Sequence, residues 1–508
     1  MLTSPQIDGL LQAARAHWRE VTPAIVGTLL ERALHPGERH ALGAHCTPRA
    51  EVERLVLPTV VAPLRVDWAN AQASAQANAQ ADAQAAALLL VHAADRLDGE
   101  KREDKLAKAR AQIRRAHHQL CSTRVLNPAC GSGNFLYVTL RHLKRLESEV
   151  LNQLDALGET HARLGMEGET VTLQQLRGTE LTGRAAALAK LVLRIGWLQG
   201  HVRTLGLASV AASVVHDHGD IECRDAVLAN DRVEMALDAD GLAITRWDGK
   251  SFKTHPVTFE QVPGTSAQVA QWAHGNPRRP EWPAVEFIVG NPPVIGHKRM
   301  RDALGHGYVQ ALRTAWADVH DTADFVMSWW QLAADTAEAM QCRRFGLITT
   351  DSITLVCNRT VLKRAGVGLA FAIPDQPRVD SAAAAAVRVT MIVGVPDADT
   401  AGLLVRVVGE AASTDGTPTL TLSSRSGKRH ANLALGADVY AATRLCANAG
   451  LSVMGTIARG AGFWIDSATA QALSAGSVPG LDRHIRRYRN GKHLTNPPRA
   501  CWRWTSSA

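Results

Sequence analysis

Val125-Leu126-Asn127-Pro128-Ala129-Cys130-Gly131-Ser132-Gly133-Asn134-Phe135-Leu136 is the stretch that decides the fold. A short apolar run enters a turn of small residues and two glycines, then leaves it as a helix. Glycine lacks a Cβ, so the backbone can turn sharply there and a ligand can come within contact distance. The spacing is Gly-x-Gly, without the third glycine of a dinucleotide fingerprint, and no Walker lysine follows. Taken alone, such a turn suits any nucleotide-like ligand.

Downstream, short apolar runs alternate with longer helical stretches. Strands are expected over 124–126, 175–180, 286–289, 345–349, 368–373 and 387–395, with helices over 136–147, 184–199 and 324–340. That alternation argues for an α/β fold, a doubly wound and mostly parallel sheet. The last two runs are too close for a helical crossover and are expected to form an antiparallel pair at one edge. Residues 228–284 carry Gly, Pro, Trp and charge without periodicity and read as a loop-rich insertion.

Upstream, residues 1–120 read as a helical region, with Val26, Leu29, Leu30 and Ala33 at helical spacing. The Ala-Gln-Ala-x repeats of 71–86 read as a tolerated surface insertion, and 100–115 as an exposed helix of mixed charge. The chain of 508 residues is 46% hydrophobic and 20% charged, which excludes disordered, collagenous and disulfide-framework classes. Its net charge of +8 suits an anionic partner without proving one. The eight cysteines form no Cys-x-x-Cys pair and read as reduced thiols rather than a metal site. No signal peptide or long apolar run is visible, so a cytoplasmic protein without a membrane span is expected.

A second motif, Phe287-Ile288-Val289-Gly290-Asn291-Pro292-Pro293-Val294, delivers an asparagine to the C-terminal end of a strand, where open α/β sheets place their ligands. Two prolines stiffen the backbone and remove two amide donors. The Asn291 oxygen and the Pro292 carbonyl then form a matched pair of acceptors for an exocyclic amino group. Asn496-Pro497-Pro498 has no apolar strand before it and reads as a turn.

Together the two motifs resemble the amino-methyltransferases of DNA, in the order found in the gamma group of N6-adenine enzymes. Residues 345–353 and Ala370-Phe371-Ala372-Ile373-Pro374-Asp375 look like the methyltransferase part of type IIG restriction-modification enzymes. The resemblance covers about residues 20–498 and implies a Rossmann-like class I fold using S-adenosylmethionine on double-stranded DNA. It implies catalysis by Asn291, Pro292, Pro293 and Val294, the fourth position being where a flipped base stacks. Asn127, Ala129, Gly131, Gly133 and Phe135 would lie along the cofactor. Glu180 would accept the ribose hydroxyls, and Asp225 would contact the adenine amino group. Gly43-Ala44-His45-Cys46-Thr47-Pro48 resembles the segment closing over the methionine end, which brings in Thr47. Asp324 and Phe325 sit where the resemblance implies the next cofactor-proximal segment. The implied domains are a helical region 1–120 containing a closing segment near 43–49, a catalytic domain 121–398, and the start of a target-recognition domain 399–508.

The pattern is broken in places. Val294 replaces an aromatic, Cys46 replaces another, and Asp351 stands where relatives often carry asparagine. The basic run 484–491 resembles the start of a recognition domain, yet the chain stops at Ala508, and residues 499–508 show no structural pattern. Read one nucleotide out of phase, that tail becomes a strand-like apolar string, so a frameshift and a C-terminal truncation are expected. The lost part, or a separate restriction component, would complete the system. No nuclease constellation precedes Thr47, so modification without cleavage is expected. Two alternatives stay open: an amino-methyltransferase of RNA or protein, and a remnant that binds cofactor or DNA without turnover.

Overall fold

A computed structural model describes residues 3–15, 47–79, 99–159, 169–205, 220–248, 251–255, 261–264, 266–364, 366–377, 388–411, 419–436 and short stretches within 443–504. The expected helical residues 26–33, the segment 43–46 and the turn at 496–498 lie outside these. The chain divides into two units, Met1–Ala437 and Asp438–Ala508.

The first unit is built on nine strands: β1 (Val125–Asn127), β2 (Leu176–Glu180), β3 (Ile221–Cys223), β4 (Phe287–Gly290), β5 (Arg344–Thr350), β6 (Gly368–Pro377), β7 (Arg388–Val395), β8 (Gly402–Ala411) and β9 (Thr419–Gly427). Their order is β9-β8-β6-β7-β5-β4-β1-β2-β3. Strands β1 to β5 are parallel, and the order reverses between β1 and β4. Open α/β sheets bind ligands at such a reversal, outside the carboxyl ends of the strands.

The central strands are buried on both faces, and their alternation divides the core. Val125, Phe287, Val289 and Ile348 face one apolar cluster, beside α4 (Gly99–Ser122), α5 (Asn134–Ala156) and α6 (Gly183–Leu205). Leu126, Ile288 and Leu347 face the other, beside α7 (His306–Ala315) and α8 (Val326–Glu338). Ahead of these lie α1 (Ser4–Arg15), α2 (Arg49–Val56) and α3 (Ala62–Ala79).

Several expectations change. The β6–β7 pair is antiparallel as expected, but it is not at the edge: β8 runs parallel to β6, and β9 pairs with β8. The apolar run at 403–408 extends the sheet from residues that sequence alone assigns to a later domain. Residues 100–115 are not simply solvated either. Ala109, Ile113 and Leu120 form a buried stripe of α4 that the surrounding charges hide. The insertion folds as one antiparallel ribbon of three nested pairs, Arg232–Met235 with Trp272–Gly275, Thr245–Trp247 with Gln268–Ala270, and Phe252–Thr254 with Gln261–Pro263. In the second unit, Cys501–Trp504, read as patternless, is the central strand between Trp464–Ile465 and Ile485–Tyr488.

Between α4 and α5 sits a buried polar cluster. Lys144 Nζ donates to Glu147 Oε2 at 2.8 Å, Thr170 Oγ1 and Val171 N donate to Glu147 Oε1 at 2.6 and 2.8 Å, and His117 Nε2 lies 3.7 Å away. His117, Cys121 and Glu147 are close enough to hold a metal, but the Lys144 ammonium already occupies the carboxylate, so the cluster reads as a buried ion pair. Burial alone would raise the Glu147 carboxyl; His117 and Lys144 win and hold it at about 2. A carboxylate depressed below its unfolded value stabilises above about pH 4.5, and that contribution disappears as pH falls toward 2. Glu147→Ala leaves Lys144 buried and uncompensated, so urea denaturation at pH 7 is expected to show a loss of about 3–5 kcal/mol. The deficit should shrink on acidification.

Candidate active site

The glycine-rich turn leaves β1 and folds back beside β2. Cys130 N donates to the Thr179 carbonyl at 3.0 Å and Gly133 N to the Cys130 carbonyl at 2.8 Å. Gly131 and Gly133 take φ of 53° and 81°, the left-handed region that a side chain disfavours. A Cβ on Gly133 would also lie 3.2 Å from Ala189 of α6. The turn therefore needs glycine for both conformation and space.

Within this turn the Asn127 side chain folds inward, its Oδ1 accepting from Ala129 N at 3.1 Å. A Cβ on Gly290 would stand 2.6 Å from that oxygen. The ends of β1 and β4, adjacent in the sheet, are thus in direct contact through one carboxamide. The two motifs face one another across that contact.

Thr47 adds a second bridge. Asn134 Nδ2 at the start of α5 donates to the Thr47 carbonyl at 3.0 Å, and Asn291 Nδ2 donates to the Thr47 hydroxyl at 3.0 Å. Thr47 is buried, so one residue ties the glycine turn to the acceptor asparagine. With its amide nitrogen engaged, Asn291 keeps Oδ1 as its free acceptor.

Pro292 is buried, whereas Pro293 and Val294 are half-buried, Val294 packing against the α8-side core. The far end of this loop is stapled down: Phe325 N donates to the Ile295 carbonyl at 3.0 Å, and Asp324 Oδ1 accepts from His297 N at 3.1 Å. Asp324 is in turn held by Asn358, whose Nδ2 donates to Asp324 Oδ2 at 2.9 Å while its Oδ1 accepts from Asp324 N at 2.8 Å. Asp324 thus ties the loop after Asn-Pro-Pro to Asn358.

Glu180 ends β2 beside the turn. Its Oε2 accepts from Gly131 N at 3.0 Å, and its Oε1 from Thr182 N and Oγ1 at 3.1 and 3.0 Å. A carboxylate has about four acceptor positions, so three donors leave one. A two-pronged grip on a diol would require the Thr182 hydroxyl to turn away. Leu181, next to it, is 62% exposed, an apolar surface beside a polar anchor. Asp225 lies beyond β3, its Oδ1 engaged by Val227 and Leu228 N–H groups and its Oδ2 by the Tyr308 hydroxyl.

Phe135 is buried in the α5-side core, and Cys46 and Gly43 fall outside the described residues. Asp351 is exposed past the end of β5. Burial, reinforced by Glu180, pushes the Cys130 thiol well above its usual range, so it stays protonated and is no nucleophile. Sequence reasoning missed Asn134, Tyr308, Trp329 and Asn358. Asn134 lies inside the quoted motif without an assigned role. Trp329 donates its indole N–H to the Pro128 carbonyl at 3.1 Å, a link across 201 positions that no local pattern discloses.

Residues 101–405 match the family described as MmeI, DNA-methyltransferase domain. DNA methyltransferase A of Bacillus subtilis (strain 168) is 21% identical over 347 residues, 66% of this chain and 29% of that protein. The structure of the type IIL restriction-modification enzyme MmeI in complex with DNA superposes with a TM-score of 0.59 at 19% identity, over 99% of this chain and 56% of that one. The chain therefore spans about a third of the one relative and about half of the other. No helix among the described residues is long and apolar enough to cross a membrane. The match over 305 residues, more than half the chain, settles the kinship: this chain belongs to the MmeI DNA-methyltransferase domain family.

Proposed function

We propose that this chain transfers a methyl group from S-adenosylmethionine to the N6 amino group of adenine in double-stranded DNA. It would do so in the cytoplasm, as the modification part of a restriction-modification or phage-defence system. The observation that carries this reading is the contact between Asn127 and Gly290, which sets the glycine turn and the Asn-Pro-Pro acceptors side by side. Site-specific recognition is assigned to the residues after the sheet, from Asp438 onward, with the helical region before 121 supplying Thr47.

The residues present fit the cofactor. Asn127 Nδ2 and Asn134 Oδ1 are buried and have no partner among the described residues. They offer one donor and one acceptor to the carboxylate and ammonium of an amino-acid end. Gly131 and Gly133 would lie beneath that end, Glu180 would hold the ribose with its remaining acceptor position, and Asp225 would hold the base. The bound cofactor supplies an electrophilic methyl group.

The chain itself supplies orientation. Adenine N6 is a poor nucleophile because its lone pair is delocalised into the ring. Asn291 Oδ1 and the Pro292 carbonyl accepting both N6 protons favour a pyramidal nitrogen with its lone pair aimed at the glycine turn. Fixed acceptors of this kind lower a barrier without reorganising as the reaction proceeds. The base must first leave the duplex, and Val294 offers it an apolar surface but no ring. The same residue favours a second reading, a binding protein without turnover.

Tritiated S-adenosylmethionine incubated with DNA, RNA and protein from one extract tests the proposal. Label is expected in DNA alone, recovered as N6-methyladenine; label elsewhere overturns the substrate, and none favours the binding protein. Asn291→Ala is expected to lower kcat by at least about 100-fold while cofactor affinity, measured by calorimetry, holds. Thr47→Val, which frees the Asn291 amide, should lower kcat about tenfold, and Thr47→Ser should restore most of it. Val294→Tyr should lower the KM for DNA about tenfold through stacking.

A further inference from the structure

The carboxylate of Asp225 is held more firmly than its place beyond a three-residue edge strand requires. Oδ1 accepts from the backbone N–H groups of Val227 and Leu228 at 2.8 and 2.9 Å, and Oδ2 from the Tyr308 hydroxyl at 2.7 Å. Two indoles grip the same segment: Trp282 Nε1 donates to the Ala226 carbonyl at 2.9 Å and Trp316 Nε1 to the Val227 carbonyl at 2.8 Å.

Tyr308 itself arrives from α7, beyond the Asn-Pro-Pro loop. Its ring packs edge-on against His274 of the ribbon at 5.8 Å and Phe325 at 6.1 Å between centroids, and Phe325 continues to Trp329 at 4.8 Å. A Cβ on the neighbouring Gly307 would lie 1.7 Å from the Trp272 carbonyl. Only glycine lets the ribbon lie against the first turn of α7 there. Burial and the adjacent Asp225 push the Tyr308 phenol well above its usual range, so the hydroxyl remains a donor.

Three donors occupy three of about four acceptor positions on the carboxylate, and the remaining one is on Oδ2. We propose that Tyr308 is a positioning residue that turns this last lone pair of Asp225 toward the exocyclic amino group of a 6-aminopurine. The nucleoside end of the pocket then selects adenine over a 6-oxo purine. This rests on the assignment of Asp225 made above and adds a residue that acts through it. A 6-oxo purine places an acceptor against an acceptor, whereas an amino group completes the set.

Calorimetric titration with S-adenosylhomocysteine and with S-inosylhomocysteine, its 6-oxo counterpart, tests the inference without turnover. The unsubstituted protein is expected to prefer the amino ligand by at least about tenfold. Tyr308→Phe should weaken the amino ligand about three- to tenfold and leave the oxo ligand unchanged, narrowing the gap. Equal weakening of both ligands, or of neither, overturns the positioning role. Equal affinity of the unsubstituted protein for both overturns the Asp225 assignment, a distinct failure that removes this inference with it. Circular dichroism accompanies each titration. Asp225→Asn, which leaves Tyr308 in place, should narrow the same gap, and should make Tyr308→Phe silent when the two are combined; an additive loss overturns the inference.

Discussion

A single carboxamide over a single glycine is the constraint on which the site depends. Asn127 sits at the end of β1 with its oxygen where any side chain at 290 would have to be. The turn after β1 and the loop after β4 are consequently two sides of one wall. Parallel pairing of β1 with β4 supplies the adjacency, and the reversal of strand order there leaves room above it. Thr47 then locks the arrangement from outside the sheet, bonding Asn134 on one side and Asn291 on the other.

Around that wall, indole N–H groups act as struts for irregular backbone. Trp329, Trp282 and Trp316 each donate to a carbonyl of a loop that bears a site residue: Pro128, Ala226 and Val227. A buried carbonyl without a donor is costly, so each indole satisfies a loop and fixes it in one step. Asn358 does the same for the loop after Asn-Pro-Pro, through Asp324. The motif residues are short polar groups; the large aromatic residues around them determine where those groups point.

Much of this was legible in the sequence because period-2 apolar runs and glycine turns are local. The strands at 175–180, 286–289 and 387–395 were anticipated within a residue or two of where they lie. Strand β3 has only three residues and gives no periodic signal. β8 and β9 are hidden because the resemblance implies a target-recognition domain from residue 399 onward. α4 was misjudged because charges flank its narrow apolar stripe of Ala109, Ile113 and Leu120. In the site, motif residues, Thr47 among them, could be named from their strings, whereas the pairings that orient them could not. Tyr308 reaches Asp225 across 83 positions and Thr47 reaches Asn291 across 244, and nothing local marks such pairs. The engagement of Glu180 by Gly131 and Thr182, which leaves it one acceptor position, likewise emerges only from the folded geometry.

The central claim, that the glycine turn and the Asn-Pro-Pro acceptors work as one methyl-transfer pocket, is most directly tested in cells. Single-molecule sequencing would compare DNA from a host carrying the gene with DNA from the same host carrying an Asn291→Ala codon. The account predicts N6-methyladenine at one recurrent sequence in the first host and its disappearance from the second. Identical methylation patterns in the two would contradict it.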